Sequence, residues 1–204
     1  MYVRPAFAQP DPAAIQALIR DNAFGLLISH GPRGTEASHI PFLLRPDGDE
    51  FVLTAHFAAG NPQCDAIGGE ALAVFGGPHA YISPGWYKAQ PSVPTWDFAA
   101  VHVTGRLEPV TDPAEIAADL QGMAAEDPTH FNLADLPDDY RARMFAGIRA
   151  FRMTPTRVEA QWKMSQNRSA ADRKGVVAAL EAQADGMSKQ VAALVASTLP
   201  DPGA

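Results

Sequence analysis

Two short stretches hold most of the side chains that could bind a polar ligand. The first is Thr54-Ala-His56-Phe-Ala-Ala-Gly60-Asn61-Pro62-Gln63. An apolar run stops there, and a turn of helix opens with Asn as its cap and Pro in first position. A helix start leaves backbone N–H groups without partners, which suits a phosphate, and His56, Asn61 and Gln63 would add side-chain donors. An ordinary strand-to-helix turn capped by Asn61 accounts for the same residues. The second stretch, Lys163-Met-Ser165-Gln166-Asn167-Arg168, offers two cations, a hydroxyl and two amides at the end of an extended segment. That mix suits a hydrogen-bonding ligand, while a solvated loop ahead of a cap at Ser169 explains it equally. Between the two, Trp86, Tyr87 and Trp96 could stack on a flat ring system or serve as core.

Other chemistries find less support. The histidines His30, His39, His56, His79, His102 and His130 lie far apart, without the short spacing that seeds a zinc site. Strands could still gather His39, His56 and His102, and the alternative is histidines hydrogen-bonded at a barrel rim. The single Cys64 excludes an internal disulfide and a Cys-rich zinc cluster, and reads as a small apolar side chain. There is no G-x-G-x-x-G, Walker A loop, G-x-S-x-G elbow or H-E-x-x-H. No nucleophile with its base and no carboxylate pair stands out, which disfavours hydrolysis.

The elements that must position these residues follow from periodicity and turn signals. Asp11-Pro12 with Ile15, Leu18 and Ile19 reads as a capped amphipathic helix. Phe24–His30, Ala37–Leu44 and Phe51–Phe57 read as strands separated by Gly31-Pro32-Arg33-Gly34 and Pro46-Asp47-Gly48-Asp49, hence an antiparallel meander. Ala71–Phe75 reads as a short buried strand. The aromatic and proline-rich stretch from His79 to Phe98 reads as a structured loop, and Val101–Leu107 as a strand. Helices are expected from Asp112-Pro113 to about Ala125 and after Leu136-Pro137, then a strand over Ala150–Val158. Ser169-Ala-Ala-Asp172 has capping-box form and starts a helix with Val176, Val177 and Leu180. A last helix carries Val191, Leu194 and Val195, and the tail Leu-Pro-Asp-Pro-Gly-Ala is expected to fray. The sum is one α+β domain of six or so mainly antiparallel strands, barrel-like, with helices at its ends.

The 204 residues, 47% of them hydrophobic and 19% charged, suffice for one sizeable core. No run nears the roughly 18 consecutive apolar residues of a membrane span, and the N-terminus lacks the apolar stretch of a signal peptide, so the cytoplasm is the expected location. Sixteen Lys and Arg against 23 Asp and Glu give a formal charge of −7. Without a Lys/Arg cluster or a helix-turn-helix pattern, direct DNA contact by the chain alone is unsupported, although an oligomer could assemble a basic patch.

The strings His79-Ala-Tyr-Ile-Ser-Pro-Gly-Trp-Tyr87, Val93-Pro-Thr-Trp96, Ala100-Val-His102, Gly60-Asn-Pro-Gln63 and Ser165-Gln-Asn-Arg168, with Met1-Tyr2, occur in collinear order. Together they resemble the PaiB family of FMN-binding negative transcriptional regulators, across nearly the whole chain. The resemblance implies an FMN-binding split β-barrel like that of pyridoxamine-phosphate oxidase, a single domain with C-terminal helices over about residues 169–199. It implies a homodimer with FMN in a cleft between subunits. Thr54, His56, Asn61 and Gln63 would then serve the flavin phosphate and ribityl chain, where the oxidase relatives carry an Arg-Lys pair. Ser38 and His39, with Pro41, would line the same cleft. Trp86, Trp96 and His102 are further candidates for cofactor binding, and Lys163, Ser165, Gln166, Asn167 and Arg168 would complete the site from the same subunit or its partner. The alternatives to a regulator are an FMN-dependent oxidoreductase or flavin reductase, with His102, Tyr81 and Trp96 lining a substrate face and His102 as acid or base, and a haem-binding module on the same fold.

Overall fold

The computed structural model describes residues 1–125 and 127–200; residues 201–204, where tail fraying is expected, lie outside the described residues. Among the described residues seven strands form one sheet: β1 (Phe24–Gly31), β2 (Gly34–Pro41), β3 (Leu43–Asp47), β4 (Glu50–Ala58), β5 (Glu70–Ile82), β6 (Thr95–Val110) and β7 (Ile148–Lys163). Their order is β2-β1-β5-β6-β7-β4-β3. β1 runs antiparallel to β2 and β5, and β4 antiparallel to β3 and β7.

This order corrects the expected meander. Ala37–Leu44 is not one strand but divides at Phe42 into β2 and β3, which stand at opposite ends of the strand order. Phe42 is a buried anchor: its ring meets Phe75 edge-on at 5.2 Å, and its N–H donates to the Ala23 carbonyl at 2.9 Å. Pinned there, the chain leaves one hairpin and starts the next. The short strand expected at Ala71–Phe75 is also corrected, since β5 runs on to Ile82. Gly76-Gly77-Pro78 looks like a breaker in sequence, yet each residue is extended in β5. The expected loop over His79 to Phe98 therefore shrinks to 83–94, which includes a 3₁₀ turn at Pro84–Trp86.

The chain divides into two compact units. One holds Asp11–Phe75 and His102–Val158. Its core includes Leu27, Leu53, Phe57, Phe75, Phe151 and Met153, with the Phe57 and Phe151 rings 5.0 Å apart. Side chains of this size contribute roughly 1.5–3 kcal/mol each when fully buried. α1 (Pro12–Asp21) starts as expected, with the Asp11 carboxylate accepting from the Ala13 N–H and Pro12 in the position that needs no donor. α2 (Pro113–Met123) repeats the device with Asp112, and α3 (Asp138–Ala146) follows Pro137.

The other unit holds Met1–Pro10, Gly76–Val101 and the chain from Glu159 onward. Its helices are α4 (Ala170–Glu181) and α5 (Gly186–Ala196), whose buried Val176, Leu180, Val191 and Val195 sit at helical spacing. The Ser169 hydroxyl caps α4 by accepting from the Asp172 N–H at 3.1 Å. The Asp172 carboxylate also accepts from the Lys88 and Ala89 N–H groups at 2.7 and 3.0 Å. Those backbone donors, Ala89 first, hold its pKa below the usual carboxylate value.

Candidate functional site

The residues expected to serve a ligand fall into both units, and each group is built differently. In the unit of Asp11–Phe75 and His102–Val158, β4 ends at Ala58 and a 3₁₀ turn follows at Pro62–Ala66. The expectation of open N–H groups at this start is corrected. The Asn61 side-chain oxygen accepts from the Gln63 N–H at 2.9 Å, its carbonyl accepts from the Cys64 N–H at 3.0 Å, and Pro62 has no N–H. Asn61 itself thus fills the cradle that a phosphate would need.

Asn61 also donates through Nδ2 to the Ser38 hydroxyl at 3.0 Å, so these two expected residues do meet. Gln63 points inward: it is 1% exposed, and its Nε2 donates to the Leu27 carbonyl and the Ser29 hydroxyl at 3.1 and 2.9 Å. It fastens the turn to β1. Thr54 is buried opposite Arg152 of β7, with its hydroxyl unpartnered. His56, two residues on and opposite Ala150, is half-buried, and desolvation pushes its pKa below the usual histidine value. His39 is exposed on β2 with its ring stacked on Phe24 at 6.0 Å, and His102 is half-buried on β6. Among the described residues no three His, Cys, Asp or Glu side chains are grouped to hold a metal. The nearby Arg33 is occupied by Glu36, Asp65 and the Pro62 carbonyl.

In the other unit, the segment 163–168 is organised around an acid that the sequence did not single out. Asp97 is 0% exposed; its carboxylate accepts from the Ser165 hydroxyl at 2.6 Å and from Lys163 Nζ at 3.3 Å. Burial raises its pKa above the usual carboxylate value, opposed by the Ser165 hydrogen bond and the Lys163 charge. Lys163 also donates to the Thr95 hydroxyl at 2.7 Å and to the Trp96 carbonyl. Gln166 folds back on its own segment, accepting from the Met164 N–H at 2.6 Å and donating to the Trp162 carbonyl at 2.5 Å. Lys163, Ser165 and Gln166 are therefore spent on shaping the segment. Asn167 remains exposed, and the Arg168 guanidinium lies over the Tyr87 ring at 4.3 Å.

These residues border a cavity of about 170 Å³, lined by Arg4, Tyr87, Asp97, Lys163, Asn167 and Arg168 among others. The three expected aromatics separate. Tyr87 goes to this cavity, while the Trp86 carbonyl lies so close to α4 that a Cβ on Gly175 would stand 2.2 Å from it. Trp96 joins His79 and Tyr81 of β5, at ring distances of 6.2 and 6.0 Å. That aromatic platform is open, with Trp96 55% and Tyr81 48% exposed. Side chains alternate along β6, so Trp96 and its neighbours Thr95 and Asp97 project from opposite faces. Sequence reasoning placed Tyr81 on a substrate face but omitted Arg4, His79 and Asp97 from the site; the available signals were the alternation of His79 and Tyr81 and a lone acid between Trp96 and Phe98.

Comparison with known proteins places these features in a family. Residues 1–157 match the family model described as "Putative FMN-binding domain". The chain is 30% identical over 205 residues to "Protease synthase and sporulation protein PAI 2" of Bacillus subtilis, covering 98% of each chain. Among solved structures, the flavocytochrome Anf3 from Azotobacter vinelandii superimposes with a TM-score of 0.56 at 11% identity, over 79% of this chain and 72% of that one. The FAD and heme binding protein from Mycobacterium smegmatis gives 0.55 at 12% identity, over 74% and 70%. At such identities the likeness speaks to the fold, the split barrel expected from the sequence.

Proposed function

Since the chain belongs to the "Putative FMN-binding domain" family, the PaiB family that its motifs resemble, we propose that it binds FMN and presents the His79–Tyr81–Trp96 platform to the flavin ring. One observation carries the reading: three aromatic rings side by side on neighbouring strands, two of them about half exposed. Aromatic surface of this kind left open to water is a place for a flat partner to stack. The donor set also fits a flavin. Taken by itself, the unit of Asp11–Phe75 and His102–Val158 offers Ser38 and Asn61, joined at 3.0 Å, with His39 and His56: a hydroxyl, an amide and imidazoles of the sort that ribityl hydroxyls use. The match of the FMN-binding family model favours FMN over FAD.

A bound flavin would supply one- or two-electron redox chemistry through its ring. The chain's own part is to hold and orient. Trp96 is fixed through its carbonyl, which accepts from Lys163, and through the buried Asp97 next to it. His56, kept neutral by desolvation over most of the physiological range, acts as a hydrogen-bonding group rather than a cation. We read the working form as a homodimer with the flavin between subunits. The regulatory role that the PaiB resemblance implies runs, on this reading, through a protein partner, since a charge of −7 opposes direct contact with a duplex.

The test is titration of the purified chain with FMN, riboflavin and FAD, followed by flavin fluorescence. Saturable binding strongest for FMN is expected, and Trp96→Ala should weaken it about tenfold, or roughly 1.4 kcal/mol. Absence of saturable flavin binding by the folded wild-type chain rejects the proposal. Equal affinity in Trp96→Ala removes the platform from the site.

A further inference from the structure

We propose that the cavity beside Tyr87 and Arg168 is a second ligand site, separate from the flavin surface, for a small carboxylate or phosphate anion. Its walls carry two guanidinium groups that no carboxylate among the described residues neutralises. Arg33, Arg45, Arg141, Arg143 and Arg152 each form an ion pair with an Asp or Glu. Among the described residues, Arg4 and Arg168 are instead placed over the rings of Phe7 and Tyr87, without a carboxylate. Guanidinium groups left in this way are ready for the forked hydrogen bonds that a carboxylate or phosphate accepts.

The second observation is Tyr87 itself. The residue is 4% exposed, lines the cavity, and its hydroxyl is buried without a hydrogen-bond partner. Such groups are rare because they lose water and gain nothing, and a ligand oxygen would satisfy this one. The one carboxylate in the wall, Asp97, is already bound by Lys163 and Ser165. Arg4, Lys163 and Arg168 thus face a single neutralised acid, inside a protein of formal charge −7. The field within the cavity favours an anion.

Size and placement set it apart from the flavin. A cavity of about 170 Å³ falls below the roughly 300–1,000 Å³ of pockets that enclose drug-sized ligands, so it admits a small anion and not a ring system. Thr95 and Asp97 in its wall project from β6 on the face opposite Trp96. Lys163 to Arg168 also lie beyond residues 1–157, which match the FMN-binding family model. Ser165 holds the segment in a left-handed turn with φ of 56°, uncommon outside glycine, and its hydroxyl grips Asp97.

The experiment is isothermal titration of the full chain with inorganic phosphate and, separately, with acetate and succinate, at ionic strength fixed by chloride. Thermal melts of wild type, Arg168→Gln and Tyr87→Phe accompany it. One class of anion should bind saturably to wild type, at least tenfold more weakly to Arg168→Gln and several-fold more weakly to Tyr87→Phe. Phosphate alone or carboxylate alone each supports the site and identifies its source. Without anion, Tyr87→Phe should melt no lower than wild type, because it loses only an unpartnered hydroxyl; with anion it should gain less. Lack of saturable binding to wild type, or binding that both variants leave unchanged, overturns the proposal. So does stoichiometric displacement of the anion by FMN, which would give the cavity to the flavin. Because the anion is titrated without flavin, failure of flavin binding would leave this result standing.

Discussion

At the scale of single residues, the informative side chains are those whose environment departs from their chemistry. Asp97 is an acid with no exposed surface, and burial outweighs Ser165 and Lys163 in setting its pKa above the ordinary value. A carboxyl group with a folded pKa above its unfolded one holds its proton longer in the native state. Its contribution to stability is full below the unfolded value and is lost as pH rises through the raised folded value. Urea midpoints measured from about pH 4 to pH 8 should therefore show a decline on the alkaline side of the usual Asp range of about 3.9. Asp97→Asn should flatten that decline, and an unchanged slope would show that Asp97 is not its source. None of this was legible locally. Lys163 and Ser165 lie 66 and 68 residues from Asp97, and only strand pairing brings them together. The polar composition of Lys163–Arg168 was legible, but not that Lys163 and Ser165 are spent on β6 and Gln166 on its own segment.

At the scale of elements, capping chemistry could be read from sequence because it is local. Asp11, Asp112 and Ser169 each cap the helix that their position announces. Packing between elements could not. Gly175 lies inside α4, where propensity alone predicts that Ala would stabilise by about 1 kcal/mol. The structure reverses the sign, since the added Cβ would meet the Trp86 carbonyl at 2.2 Å, a backbone atom that cannot swing aside. Gly175→Ala should lower stability by roughly 1–2 kcal/mol in urea denaturation, the usual cost of overpacking. Gly186→Ala, at the start of α5 with nothing within 4 Å of the added carbon, serves as the permissive control. A stabilised Gly175→Ala would mean that α4 is not held against the Pro84–Trp86 turn.

At the scale of the molecule, net charge and strand order govern behaviour. With 23 acidic against 16 basic side chains, the protein should not retard a non-specific duplex in a gel-shift at about 150 mM salt. A shift whose affinity falls steeply with salt would reveal a basic surface assembled by an oligomer and would revive direct DNA contact. Strand order was the least legible property of the fold. The hairpins β1–β2 and β3–β4 were visible as turn signals, but β2 and β3, joined through Phe42, take opposite ends of the sheet. Turn residues report which neighbours pair, whereas the order of hairpins depends on long-range pairings such as β1 with β5 and β4 with β7.

The sequence by itself determined what depends on short range and on composition: helix starts, hairpin turns, the acidic balance, and the collinear motifs that mark an FMN-binding family. Tertiary structure alone decided which polar groups remain available. Asn61 consumes the N–H groups meant for a phosphate, and Gln63 turns into the core. Trp96 stays open while Tyr87 and Arg168 close around a small cavity. A side chain's availability is whatever hydrogen bonding and burial leave over, and both are set by partners distant in the chain.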